Sequence, residues 1–258
     1  MRDPGLDQAI NAAGGVGALA RKIGISQPSV SNWTRVPAER VLLVESTTGI
    51  DRAVLRPDLY GTAEPQIDID EVELARAREY ALLAVLLARA PSADLIARLA
   101  KLRGDATPLG LAHAALAEAA EAADAERVGR EFFNLFIGIG RGELLPYASY
   151  YLTGFLNERP LARLRADLSR LGIARAEGYT EPEDHAAVLC DIMAGLAGGR
   201  FEAPPGADRD LFERHLAPWL GRFFADLEQA QEAEFYRRVG TVGRLFMAVE
   251  SEAFTLAA

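Results

Sequence analysis

Between Arg209 and Ala253, the bulky apolar residues Phe212, Leu216, Trp219, Leu220, Phe223 and Leu227 recur every three or four positions. That spacing lines up one face of an α-helix. Similar periods run through most of the chain, and stretches alternating apolar with polar residues are scarce. Ala, Leu, Glu and Arg dominate, and all four favour helix. Together these features argue against a sheet-based fold and predict an all-α protein.

At 258 residues the chain is long enough for two domains, and with 50% hydrophobic and 25% charged residues it has the composition of a chain that buries a core. Its longest strongly apolar run, Ala81 to Ala88, is eight residues, whereas a membrane span needs about 20. No secretory signal is read in the first fifteen residues, and a single cysteine, Cys190, can form no internal disulfide and hold no metal alone. The expectation is a cytoplasmic protein without a membrane partner.

Charge divides the chain. Residues 1–63 hold seven Arg or Lys and six Asp or Glu, whereas residues 64–258 hold 21 and 31. So acidic a body repels a phosphate backbone and favours a cationic partner. Pro57, Gly61 and Pro65 mark a boundary, which predicts a head over residues 1–61, a linker over 62–70 and an all-helical body over 71–258. In the head, short helices are expected at Leu6–Ala13 and Val16–Ile23, one capped by Ser26 with Pro28 in its first turn, and another at Ala38–Thr47. In the body the pattern predicts helices at Glu71–Ala90, Ala93–Leu102, Leu109–Ala123, Ala125–Phe136, Leu145–Leu156, Leu161–Leu171 and Pro182–Leu196. The final stretch, Arg209–Ala253, is expected to bend or restart at Pro218.

The run from Ala18 to Trp33 is the most specific local pattern. Ala20 permits two helices to cross closely, and Gly24 permits the left-handed backbone of a tight turn. Ile25 and Val30 point into a small core, which leaves Ser26, Gln27, Ser29 and Asn32 outward as short polar groups able to reach base edges. Arg21, Lys22, Arg35 and Arg40 are candidates to hold phosphates. This spacing, with Ser31-Asn-Trp33 and Pro37-Ala-Glu-Arg40, resembles the Cro-like helix-turn-helix of YdaS-type regulators over about 55 residues. The resemblance implies operator DNA as a partner and favours a homodimer, since such heads read paired half-sites. The alternative is a structural appendage.

Three strings stand out in the body: Glu131 to Phe155, Glu181-Pro-Glu-Asp-His185, and Phe212 to Trp219. In that order and at those separations they resemble the TorD/DmsD family of maturation chaperones for molybdenum redox enzymes, over about residues 70–255. The resemblance implies an all-helical, non-enzymatic chaperone that binds the twin-arginine leader or the apo form of a molybdoenzyme catalytic-subunit precursor and assists its cofactor insertion. It implies no cofactor of the chain's own. A leader is a cationic stretch followed by an apolar one, so its receptor needs carboxylates for guanidinium groups and a greasy groove. Glu181, Glu183 and Asp184 supply charge at an expected helix start, with Pro182 in the first turn and His185 free to donate to a peptide carbonyl. Tyr147, Tyr150 and Tyr151 add amphipathic surface if the two segments pack together. By resemblance, Asp184 and His185 match the family's leader-contacting pair. Without a ligand, the same acidic residues would simply offset the helix dipole.

Enzyme readings fail on mechanism. Gly138-x-Gly-x-Gly142 lacks the Lys-Ser/Thr of a phosphate loop and follows a helix rather than a strand, so a glycine-rich turn is expected. There is no Gly-x-Ser-x-Gly elbow. His113, His185 and His215 are never four apart, as a helical zinc pair requires. His215 is expected to bond a backbone carbonyl, Cys190 to be a small buried group, and Phe132, Phe133, Phe136, Phe223 and Phe224 to be core. A second function, a transcriptional regulator whose body senses a client or ligand, stays open because the usual family pattern has no helix-turn-helix.

Overall fold

The computed structural model describes residues 2–60, 71–176 and 180–256, and in these the chain forms helices and turns with no strand beyond one isolated bridge. The chain divides into two compact units, Met1–Asp68 and Ile69–Ala258. The expected linker at 62–70 lies outside the described residues.

The first unit holds α1 (Pro4–Ala13), α2 (Val16–Lys22), α3 (Gln27–Ser31), a 3₁₀ turn at Ala38–Arg40, α4 (Val41–Thr48), α5 (Arg52–Leu55) and α6 (Pro57–Tyr60). Its core is Leu6, Leu19, Val30, Val36, Val44 and Leu55, all fully buried. Ala20 is buried and Gly24 takes a φ of +72°, which places the Ile25 amide on the Ala20 carbonyl at 3.0 Å and turns the chain from α2 toward α3. Ser26 caps α3 by accepting the Ser29 amide.

The second unit contains α7 (Glu71–Ala88), α8 (Ala93–Leu99), α9 (Pro108–Glu121), α10 (Ala125–Phe132) running into a π-helical turn at Phe133–Ile137, α11 (Ala148–Thr153) and α12 (Arg159–Arg170). It continues with α13 (Ala186–Ala197), α14 (Ala207–Leu211) with a second π turn at Phe212–Leu216, α15 (Leu220–Gln229) and α16 (Phe235–Leu256). Helix α13 lies along α7, and α15 folds back on α16. Their shared core includes Tyr80, Leu116, Trp219, Phe223, Phe224 and Tyr236. Phe133 departs from expectation: it is 40% exposed, whereas Phe132 is buried and Phe136 packs on the core.

Polar clamps set the ends of α16. At its start the Glu131 carboxylate accepts the amides of Glu234 (2.8 Å), Phe235 (3.1 Å) and Tyr236 (2.7 Å). Glu143 likewise accepts those of Gln231 and Glu232. Near its end the buried Glu250 accepts from Arg76 Nε and Nη2, each at 2.8 Å, and from the Tyr80 hydroxyl at 2.8 Å. The Gly138–Gly142 segment is a turn, as expected: Gly138 and Gly140 have positive φ, and a Cβ on Gly142 would lie 2.6 Å from the Leu135 carbonyl oxygen.

Candidate functional site

The expected acidic corner differs locally from the sequence reading. Helix α13 begins at Ala186, not Pro182, and its N-cap is His185. Glu181, Pro182 and Glu183 therefore lie in the half-buried turn before the helix, so Pro182 is not a first-turn residue. Likewise α11 begins at Ala148, because Tyr147 is extended and pairs with His185 in an antiparallel bridge. The Ala148 amide donates to the Asp184 carbonyl at 3.0 Å, and the Ala186 amide to that of Pro146 at 2.8 Å. Two helix starts are thereby stitched together.

Side chains complete the stitch. Asp184, 1% exposed, accepts the Ser149 amide on Oδ2 at 2.8 Å, which caps α11 from outside the helix. Its Oδ1 and the Ser149 hydroxyl have no protein partner. His185, 8% exposed, accepts the Ala187 amide on Nδ1 at 3.0 Å, so its neutral form carries the proton on Nε2. The Tyr147 ring and that imidazole meet in a T-shaped contact with centroids 4.9 Å apart, and the Tyr147 hydroxyl donates to Glu181 at 2.8 Å. Burial lowers the His185 pKa against the opposing pull of Glu181 and Asp184. Tyr147, Glu181, Asp184 and His185 thus come together.

Two cavities flank this corner, with α12 between them. On one side a cavity of about 430 Å³ has Asp184, Ala148 and Leu164 in its wall and Arg163, Arg170 and Arg214 around it. There Asp167 holds the His215 ring at 2.7 Å and faces Arg214 at 3.8 Å. Burial opposes ionisation of Asp167, yet the His215 bond and the nearby arginines keep its pKa below the usual range. The His215 ring therefore bonds a carboxylate rather than the expected carbonyl; its own carbonyl accepts the Trp219 indole N–H at 2.8 Å.

On the other side runs a larger, apolar groove of about 830 Å³. Ala84 and Val85 of α7, Ala187, Val188 and Ile192 of α13, and Leu168 of α12 line it, with Glu183 and Asp191 among its carboxylates. Glu183 pairs with Arg165 at 2.8 Å; burial pushes its pKa up, but that bond, a backbone hydrogen bond and the charges of Arg165 and Arg175 together lower it. Asp191 pairs with Arg200 at 2.8 Å. Adjacent residues Glu183 and Asp184 therefore line opposite cavities.

Tyr150 and Tyr151 face neither. They line a third hollow with Arg141 and Glu143. Tyr150 accepts from Arg141 at 2.6 Å, whereas Tyr151 packs on Trp219 and Phe223, with ring centroids 5.4 and 5.9 Å apart. Sequence reasoning missed Asp191, Arg165 and Asp167. Asp191 was legible as the i+4 neighbour of Ala187, on the face that α13 turns to the groove.

In the head, Gln27, Ser29, Asn32, Arg21 and Lys22 are exposed, and Ser26 is exposed but engaged as the cap. Arg35 pairs with Asp58 at 3.3 Å, and Arg40 is half-buried. Among the described residues no cluster of His, Cys, Asp or Glu is arranged to hold a metal ion, and no helix is long and apolar enough to cross a membrane.

Comparison with known proteins adds to this geometry. Residues 102–225 match the family model described as nitrate reductase delta subunit, and residues 6–64 match that of the bacterial toxin YdaS. Among curated proteins, the chain is similar to the chaperone protein TorD of Vibrio cholerae (strain ATCC 39541), 34% identical over 36% of this chain and 46% of the relative. It is also similar to that of Aliivibrio fischeri, 30% identical over 42% and 55%, and to that of Shewanella loihica, 26% identical over 74% and 98%. The chain thus spans about half the length of the first curated relatives it matches. Among solved structures it is similar to an Archaeoglobus fulgidus protein assigned to redox enzyme maturation, 19% identical over 72% of this chain and 99% of that one, with a TM-score of 0.49.

Proposed function

Because the body of this chain is similar to TorD chaperones, behind a YdaS-like head, we propose that it binds the precursor of a molybdenum redox enzyme and assists its maturation. The observation that carries the proposal is the apolar groove of about 830 Å³ with carboxylates in its wall, directly beside the Asp184-His185 corner. A leader peptide has the complementary character: cationic residues ahead of an apolar stretch. Glu183 and Asp191 already hold guanidinium groups at 2.8 Å. The Asp191–Arg200 pair is exposed, and such pairs contribute about 0–1 kcal/mol, so an incoming arginine can displace Arg200 at small cost; at the less exposed Glu183 an incoming guanidinium would take the place of Arg165. The apolar stretch takes the groove floor, where Ala84, Ala187 and Ile192 present small or branched side chains. The compartment consistent with this role is the cytoplasm, and the chain acts by binding rather than catalysis. Co-purification with a molybdoenzyme catalytic subunit, with and without its leader, tests the reading; retention of neither form would reject it.

The head supports a second activity. Helix α3 presents Gln27, Ser29 and Asn32 to solvent with Arg21 and Lys22 nearby in sequence on α2, a set suited to base edges and phosphates. The reading is an operator-binding head joined to a client-binding body, acting as a dimer so that two half-sites are read. A mobility shift with DNA from the protein's own operon, abolished by Gln27→Ala with Asn32→Ala, is the expected result. No shift at low salt would contradict it.

A further inference from the structure

We propose that Asp184 and His185 serve client binding as positioning residues, which shape the site through backbone contacts, and that the charge of the ligand is met elsewhere, at Glu183 and Asp191. This inference rests on the leader-binding reading and assigns the residues within it.

The geometry separates the two roles. Asp184 is 1% exposed, and its engaged oxygen serves the Ser149 amide of α11. Its carbonyl serves the next amide toward the N-terminus, that of Ala148. His185 spends Nδ1 on the first turn of α13, and its ring makes a T-shaped contact with Tyr147. Each side chain therefore holds a helix start, and together they fix α11 against α13. The walls of both flanking cavities come from these helices: Ala148 and Leu152 for one, Ala187, Val188, Asp191 and Ile192 for the other. Loss of either cap frees a helix end and moves a wall. Glu183 and Asp191, by contrast, line the groove and already bind arginine side chains.

What the cap at Asp184 requires is an acceptor for an N–H, not a negative charge. Asparagine supplies that acceptor and alanine does not. The same holds at position 185, where asparagine is a good N-cap. Direct charge recognition makes the opposite demand: a neutral Asp184→Asn would fail as badly as Asp184→Ala.

The test uses the full chain and a fluorescein-labelled synthetic peptide with two consecutive arginines followed by about twelve apolar residues. Its dissociation constant is measured by anisotropy across a salt series for the wild type and variants. Circular dichroism on each variant identifies any that fails to fold. The expected result is that Asp184→Asn and His185→Asn bind within about twofold of wild type with an unchanged salt slope. Asp184→Ala and His185→Ala weaken binding about tenfold, the factor expected for losing a cap of about 1.4 kcal/mol. Glu183→Gln with Asp191→Asn flattens the salt dependence. Should a folded Asp184→Asn lose as much affinity as Asp184→Ala, with a flattened salt slope, the assignment is overturned while leader binding stands. No binding by the wild type removes the leader reading and this inference with it.

Discussion

At the scale of single residues, the informative groups are the histidines, each held by a different partner. His185 is buried as a neutral acceptor, with Tyr147, Glu181 and Asp184 facing it. Its folded pKa lies below the ordinary value of about 6.5. The folded state therefore takes up its proton later than the unfolded chain as pH falls. Its contribution is whole above about pH 6.5 and is lost as pH drops toward the folded value. Denaturant unfolding at pH 8 and 5.5 checks this: wild type should lose more stability between the two than His185→Asn does. His113 has the opposite sign. Its bond to Glu79 at 2.9 Å raises its pKa against burial, so this stabilisation is present below about pH 6.5 and disappears as pH rises through the raised value. Glu79→Gln should cost on the order of 1 kcal/mol at pH 6 and close to nothing at pH 9, measured the same way. Neither partner was legible in the sequence, because Glu79 is 34 residues from His113 and Asp167 is 48 from His215. No helical spacing reports contacts of that range. The Asp184-His185 corner was visible as a string, but its use as a pair of caps depends on the distant Tyr147–Ser149 segment.

At the scale of elements, the 3.6-residue period located most helices, and the errors lie where tertiary contacts override it. The stretch Arg209–Ala253, expected to bend or restart at Pro218, is divided twice in the structure. The break near Pro218 carries a sequence signal, whereas the one between α15 and α16 carries none. That second break is held from outside, by the carboxylates of Glu143 and Glu131 on five successive or near-successive amides from Gln231 to Tyr236. The start of α13 was misplaced by four residues for a related reason: His185 and the bridge to Tyr147 intercept the helix before Pro182 can enter it. Replacing Glu131 by alanine should therefore destabilise the body by roughly 1–3 kcal/mol, since three amides at the start of α16 lose their acceptor. A lowered unfolding midpoint, smaller for Glu131→Gln because one acceptor oxygen remains, is the expected observation. An unchanged midpoint for Glu131→Ala would show that water replaces the clamp without penalty.

At the scale of the molecule, charge and shape divide the work. The near-neutral head presents small polar groups on α3, whereas the acidic body has an apolar groove with carboxylates in its wall. The charge contrast between residues 1–63 and 64–258 was legible in the sequence. The groove was not, because α7, α12 and α13 that form it are separated by up to a hundred residues. In the proposed function this groove receives a cationic, apolar segment of a redox-enzyme precursor. The most direct measurement is isothermal titration of the full chain with a molybdoenzyme leader peptide, beside a version in which both arginines are replaced by glutamate. Saturable binding of the first and none of the second is the predicted result. Equal heats for both, or none for either, would contradict the account.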